Sequence, residues 1–112
     1  MRSLVLALLG LTVVACGSSP ERTASAAPQA SVVRVGMKHN RFTPRRITVR
    51  LGQRVRWTNG DAVAHTVASV DLRLSSDAIR AGKTFSYRPR RAGRFRYFCT
   101  IHAGQTGVLV VR

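Results

Sequence analysis

From Ser31 onward, apolar and polar positions alternate in short runs, and no long segment has the spacing of an amphipathic helix. These runs are rich in β-branched and aromatic residues, which is typical of strands with one buried face. The runs are Val33–Val35, Ile47–Leu51, Val55–Trp57, Phe85–Tyr87, Phe95–Tyr97 and Val108–Val111. Turn signals separate them, centred on Gly52, Gly60, Gly82 and Gly93. The pattern predicts an all-β fold, an antiparallel Greek-key sandwich of about seven to eight strands.

The polar positions of these runs carry much of the positive charge of the chain. The sequence has 19 Lys+Arg against 4 Asp+Glu, a formal net charge of +15. Arg50, Arg54, Arg56 and Arg96 occupy the polar phase, so we expect them on the solvent faces of the sheets. The aromatic residues that could stack on bases lie in the apolar phase, so we expect most of them in the core; they are Trp57, Phe85, Tyr87, Phe95 and Tyr97. The charge therefore predicts attraction to anionic partners, without a specific nucleic-acid site.

The N-terminal segment predicts export. Its apolar run, Leu4–Ala15, is 12 residues long, shorter than the roughly 17 to 25 residues that span a bilayer, so residues 1–15 are predicted to be a signal peptide. Cys16 follows at a small-residue boundary that resembles a bacterial lipobox, which implies cleavage before it and lipid attachment to it; an ordinary secretory signal is the alternative. Residues 16–30 are predicted to form a flexible Ser/Ala/Pro-rich linker that begins with Cys16, and residues 31–112 are predicted to form one domain. We expect a lipid-anchored protein facing the periplasm or cell exterior.

Cys99 and His102, three positions apart near the C-terminus, carry the candidate chemistry. A disulfide would need Cys16, the only other cysteine, which is expected to be lipidated. A nucleophile would need an orienting third group, and since none is apparent we expect no enzyme activity. A metal site would need a further ligand, and His65 lies at the expected start of a strand in the alternating run Ala62–Ala68. One Cys and two His with a weak axial ligand form a blue copper site; ordinary core or edge residues are the alternative.

Residues 31–112 resemble the small bacterial cupredoxins of the plastocyanin and amicyanin type. The matching stretches are Phe42–Pro44, Ile47–Val49, Val55–Asn59 with Asp61, His65–Val67, Gly82–Tyr87, Gly93–Phe95 and Tyr97–His102. The resemblance covers the whole predicted domain. It implies a cupredoxin-like sandwich that holds one type 1 copper ion, with His65, Cys99 and His102 as its equatorial ligands.

The resemblance also points to the residues around these ligands. The family usually has an axial methionine, but the only methionine outside the signal peptide is Met37, at the far end of the domain. Gln105 stands where the methionine falls in the amicyanin pattern, and Gly107, which has no side chain, stands where it falls in the plastocyanin pattern. Gln105 is therefore expected to bind copper through its amide oxygen. Thr66 and Thr100, each beside an expected ligand, are candidates for hydrogen bonds that hold the thiolate; ordinary strand threonines are the alternative.

The resemblance implies a one-electron carrier. In the family the second histidine, here His102, emerges through an apolar patch where the partner docks, and Ile101, Ala103 and Gly104 would form that patch. The basic surface favours an acidic redox protein such as a cytochrome as partner, and we expect a monomer. Copper binding or delivery without obligatory electron transfer is one alternative. A metal-free interaction lipoprotein, whose basic shell binds anionic lipid or polymer, is another.

Overall fold

The computed structural model describes residues 31–112, together with Gly10 and Gly17. The predicted signal peptide, Cys16 and the linker otherwise lie outside the described residues. Within residues 31–112, strands form two sheets around one apolar core, so the predicted all-β sandwich is confirmed. No helix in this part of the chain is long and apolar enough to cross a membrane.

Nine strands make up the described part of the chain. In chain order they are β1 (Val32–Lys38), β2 (Arg41–Thr43), β3 (Arg46–Val49), β4 (Arg54–Asn59), β5 (Ala68–Ser69), β6 (Leu74–Ser75), β7 (Thr84–Tyr87), β8 (Gly93–Phe98) and β9 (Thr106–Val111). The first sheet has the order β2-β1-β4-β7, and the second has the order β3-β9-β8-β5-β6.

Two strand pairs are parallel, which differs from the expected all-antiparallel arrangement. Val35 of β1 lies opposite Trp57 of β4, and Ile47 of β3 lies opposite Leu109 of β9. Alternation along a strand shows which face each side chain occupies, but it carries no information on the direction of the neighbouring strand. The short strands β2, β5 and β6 also raise the number of strands to nine, above the seven to eight expected. The sequence pattern does not predict them, because two or three residues are too few to show alternation.

The core between the sheets holds the apolar phase of the alternation. Trp57, Phe95 and Tyr97 are buried, and Phe85 and Tyr87 are half-buried against the same cluster, so the predicted inward placement of the aromatic residues is confirmed. The rings of Trp57 and Tyr97 meet edge to face with their centroids 5.5 Å apart. Burial raises the pKa of Tyr97 to about 12.

A close approach between β8 and β9 lies directly below the predicted copper site. Gly107 is paired with Tyr97, and a Cβ atom at position 107 would overlap the Tyr97 ring. Only glycine leaves room for that ring. Because Tyr97 comes two residues before Cys99, and Gly107 two residues after Gln105, this contact sets how closely the two strands approach beneath the ligand loop.

Candidate metal centre

Three predicted ligand residues converge at one end of the sandwich. The Nδ1 atoms of His65 and His102 lie 3.2 Å apart, and Sγ of Cys99 lies 3.9 Å from the first and 3.6 Å from the second. All three donor atoms fall within 4.8 Å of one another. His65 and Cys99 are buried, while His102 is half-buried.

The triangle of donor atoms has the size that a metal ion requires. The point equidistant from the three atoms lies about 2.1 Å from each, as their separations of 3.2, 3.6 and 3.9 Å dictate. Metal–nitrogen bonds of about 2.0–2.1 Å and metal–sulfur bonds of about 2.3 Å are usual for zinc, an ion of similar donor preference. Two imidazoles and one thiolate in a trigonal array are the donor set of type 1 copper. The residues therefore fit such an ion.

The loop that joins β8 to β9 brings two of these residues together. Strand β8 ends immediately before Cys99, whose backbone N–H donates to the carbonyl of Gln105 at 2.9 Å. The N–H of Gln105 donates to the carbonyl of His102 at 3.4 Å, and Gly104 adopts the left-handed conformation with φ of 81°. This tight turn returns His102 to the side of Cys99.

His65 reaches the site from a different part of the chain. Instead of starting a strand, as its alternating run predicts, it forms an isolated antiparallel bridge with Ile79. Its N–H donates to the Ile79 carbonyl at 3.1 Å and its carbonyl accepts from the Ile79 N–H at 2.7 Å. The strand that follows, β5, begins only at Ala68. Pairing with a distant segment, rather than local alternation, decides this backbone conformation.

Asn59 supports the segment that carries His65, and the alternation pattern does not identify this role. Its side chain is fully buried, and its amide N–H groups donate to the carbonyls of Val63 at 2.7 Å and Ile79 at 2.8 Å. Its amide oxygen accepts from the backbone N–H of Asp61 at 2.8 Å. The Asn59 side chain thus connects the end of β4 to the loop before His65 and to Ile79, the backbone partner of His65. The sequence shows an asparagine near the end of a predicted strand, but that its side chain is buried is known only from the folded structure.

Asp61 holds the ring of His65. Its Oδ2 lies 2.8 Å from Nε2 of His65, on the side of the ring opposite to Nδ1. A carboxylate partner fixes the tautomer with the proton on Nε2, which leaves the Nδ1 lone pair for a metal. The backbone N–H groups of Asn40 and His39, in a left-handed turn, also donate to this carboxylate. Together with His65 they lower the pKa of Asp61 to about 2.

Thr66 and Thr100 connect the two segments that carry the ligands. The backbone N–H of Thr66 points at Sγ of Cys99 across 3.4 Å, and the Thr66 hydroxyl lies 3.8 Å from the same sulfur. The two threonine hydroxyls are 2.7 Å apart, and the N–H of Thr100 donates to the Thr66 hydroxyl at 2.7 Å. Thr66 therefore contacts the sulfur directly and Thr100 contacts Thr66, while their role in holding the thiolate stays a prediction.

The surroundings of Cys99 favour the thiolate. Burial opposes ionisation of this thiol, but hydrogen bonds from the backbone of Thr66 and of Ile101, and from the rings of His102 and His65, outweigh it and lower the pKa of Cys99 to about 6. The thiolate is the form of cysteine that binds metals. The site is thus prepared for a cation at neutral pH.

Gln105 lies at the base of the ligand loop with its side chain buried. It is 1% exposed, and neither its amide oxygen nor its amide nitrogen has a hydrogen-bond partner among the described residues. A buried polar group without a partner costs about 1–3 kcal/mol, so such a group calls for a further ligand. Axial binding of copper by the amide oxygen would satisfy one of these atoms and stays a prediction. Met37 is buried in the core cluster, and Gly107 has no side chain to contribute.

Comparisons with known proteins agree with this geometry. The family model described as the cupredoxin-like domain matches residues 5–111. Amicyanin of Paracoccus versutus is 28% identical over 99 residues, which cover 84% of this chain and 75% of that protein. Amicyanin-alpha of Methylorubrum extorquens is 28% identical over 76 residues, covering 63% of this chain and 64% of that protein.

Solved structures with similar folds include cupredoxins. A methionine-to-glutamine mutant of amicyanin in its Cu(I) form superposes with a TM-score of 0.70 at 25% identity, covering 78% of this chain and 88% of that one. A purple cupredoxin from Nitrosopumilus maritimus gives a TM-score of 0.64 at 21% identity, covering 71% and 99%. The second likeness shows the fold alone.

Proposed function

Because the chain belongs to the cupredoxin-like domain family, we propose that it is an exported, membrane-tethered copper protein that carries one electron at a time. The predicted cofactor, one type 1 copper ion, is confirmed by that membership together with the His65, Cys99 and His102 group. The convergence of two Nδ1 atoms and one sulfur within 4.8 Å carries the proposal. The tether rests on the sequence around Cys16, and fatty-acid labelling that disappears in Cys16→Ser tests it.

In this proposal the residues bind and hold the ion. His65, Cys99 and His102 would hold the copper ion, which would supply the Cu(II)/Cu(I) couple. Asp61 orients the His65 ring, and Thr66 donates its N–H towards the sulfur. Because the His65 ring and the Cys99 sulfur are held by Asp61 and Thr66 without a metal, we expect little rearrangement on a change of oxidation state.

The optical and EPR spectra of the Cu(II)-loaded chain, with its reduction potential, test this function. An intense thiolate-to-copper absorption and a reversible one-electron wave are expected. Colourless, weakly bound copper would instead support copper delivery without electron transfer. No copper binding at all would favour the metal-free interaction lipoprotein.

Gln105→Met is expected to raise the reduction potential. The amide oxygen of Gln105, buried and without a hydrogen-bond partner, is the proposed axial ligand. A hard oxygen favours Cu(II), whereas a soft thioether favours Cu(I). A tenfold change in the ratio of the two affinities corresponds to about 59 mV for one electron, and we expect a rise of at least about this size. The measurement is cyclic voltammetry of both proteins.

Gln53→Met is the matched control for that experiment. Gln53 lies in a turn, where its side chain contacts Arg50 and Ser31 and no predicted ligand. The same chemical change there should leave the potential unaltered. Equal potentials for the wild-type protein and Gln105→Met would argue against axial binding by Gln105.

The proposed partner is an acidic redox protein such as a cytochrome. Ile101, which immediately precedes His102, is 52% exposed, and Val63, two positions before His65, is 50% exposed. Both offer an apolar surface for contact with a partner. The strongly basic surface would steer an acidic partner towards the protein. We expect the rate of electron transfer to an acidic cytochrome to fall about tenfold or more as ionic strength rises. Stopped-flow kinetics measures this, and a basic cytochrome, whose rate should not fall, is the control.

A further inference from the structure

The outer face of the second sheet carries a group of arginines around β9. Arg46 of β3 and Arg96 of β8 both lie opposite Val108, one on each side, and Arg94 of β8 lies opposite Val110. Residues in register point to the same face of a sheet. Because neighbouring strands are about 4.8 Å apart, the Cα atoms of Arg46 and Arg96 are roughly 10 Å apart, close enough for both side chains to reach one ligand.

These arginines line a concave site. Arg45, Arg46, Arg94 and Arg96 surround a groove of about 540 Å³ that also contains the half-exposed ring of Phe98. Its volume falls within the roughly 300–1,000 Å³ that is usual for small-molecule sites. The guanidinium group of Arg45 is held in place by donating to the Thr106 hydroxyl at 3.2 Å.

Within residues 31–112, no acidic side chain lines the groove. Residues 31–112 contain three acidic residues, Asp61, Asp71 and Asp77, and none of them lines it. Asp61 instead accepts hydrogen bonds from the His65 ring and from the backbone N–H groups of His39 and Asn40. The four guanidinium groups therefore repel one another, and this repulsion is relieved when an anion enters.

We propose that the groove is a binding site for a multiply charged phosphate ligand of the oligophosphate class. The planar fork of arginine donates two parallel hydrogen bonds to a phosphate, and several forks around one concave site match several phosphoryl groups. A compact ligand enters such a groove more readily than the flat surface of a protein does. The phosphate could belong to a soluble oligophosphate or to a lipid headgroup. The site is independent of the proposed copper function, because no predicted copper ligand lines it.

Calorimetric titration of the metal-free full chain with inorganic triphosphate tests the site. Saturable binding with one ligand per chain is expected. The variant Arg46→Gln with Arg96→Gln should bind about tenfold more weakly or worse, because charge-assisted hydrogen bonds are lost. The matched control, Arg34→Gln with Arg56→Gln, removes the same charge from register partners on the first sheet and should change the affinity by less than about twofold. Arg94→Gln is a second groove variant in case the first does not fold.

Vesicles distinguish the two sources of phosphate. If anionic phospholipid vesicles displace triphosphate and retain the wild-type chain more than the groove variant, the natural ligand is a lipid headgroup. Vesicles of neutral lipid are the control for membrane binding through the N-terminal apolar segment. If they do not displace it, the ligand is soluble. Equal weakening in the groove and control variants, or no saturable binding, would overturn the proposal. Copper is absent from these titrations, so none of their outcomes bears on the proposed copper site.

Discussion

Cys99→Ser is expected to abolish the intense visible absorption of the copper-loaded protein. That absorption arises from charge transfer between a thiolate and Cu(II), and a serine hydroxyl supplies no thiolate. The sulfur lies 3.6 Å from Nδ1 of His102 and 3.9 Å from Nδ1 of His65, and no other thiol lies in residues 31–112 to replace it. The visible spectrum of each protein after addition of one equivalent of Cu(II) measures the effect.

Cys16→Ser is the matched control, because it makes the same substitution at the only other cysteine of the sequence. This variant should keep the full absorption. Colour that persists in Cys99→Ser, or is lost in Cys16→Ser, would contradict the assignment of Cys99 as the copper thiolate. Circular dichroism of metal-free Cys99→Ser should match the wild-type spectrum, since serine has nearly the same size.

Asn59→Ala is expected to lower the free energy of unfolding of the metal-free protein by about 3 kcal/mol, because it leaves several buried backbone groups without partners. The groups concerned are the carbonyls of Val63 and Ile79 and the N–H of Asp61. The loop before His65 should loosen as well, and copper affinity should fall. Urea denaturation followed by tryptophan fluorescence measures the first effect, and competition with a copper chelator measures the second.

Thr58→Ala is the control for Asn59→Ala. Thr58 is the neighbour in β4, but its side chain is exposed. Its replacement should change the free energy of unfolding by less than about 0.5 kcal/mol, as is usual for surface positions. A loss below about 1 kcal/mol for Asn59→Ala would show that Asn59 does not hold the loop, since even one unsatisfied buried group costs at least that much.

Much of the fold follows from local sequence. The period-2 alternation around Trp57 and Tyr97 places both in the core, and the structure confirms this. The resemblance to cupredoxins is confirmed by the family match over residues 5–111. Cys99 and His102 are three positions apart, so a short loop is enough to bring them together. The burial of Trp57 and Tyr97 and the approach of Cys99 to His102 depend on residues that are close together in the chain, so local patterns predict them.

The contacts that support the predicted ligands, in contrast, are not predicted by local sequence patterns. The His39–Asn40 turn reaches Asp61, more than 20 positions along the chain, only after β1 and β4 have paired. The burial of Gln105 without a hydrogen-bond partner is likewise a property of the packed structure. Alternation gives no sign of such contacts, because it reports the face of a residue and not its neighbours in space.

The sequence by itself therefore determined the longer strands and their inward faces, because local alternation is sufficient for that. The resemblance to cupredoxins pointed to His65, Cys99, His102 and Gln105 as the expected donors, and the binding of copper by Gln105 stays a prediction. Only the tertiary structure decided the two parallel strand pairs, the donor triangle with edges of 3.2 to 3.9 Å, and the arginine groove. Each of these depends on strand direction and register between distant segments, which are set by packing of the whole core.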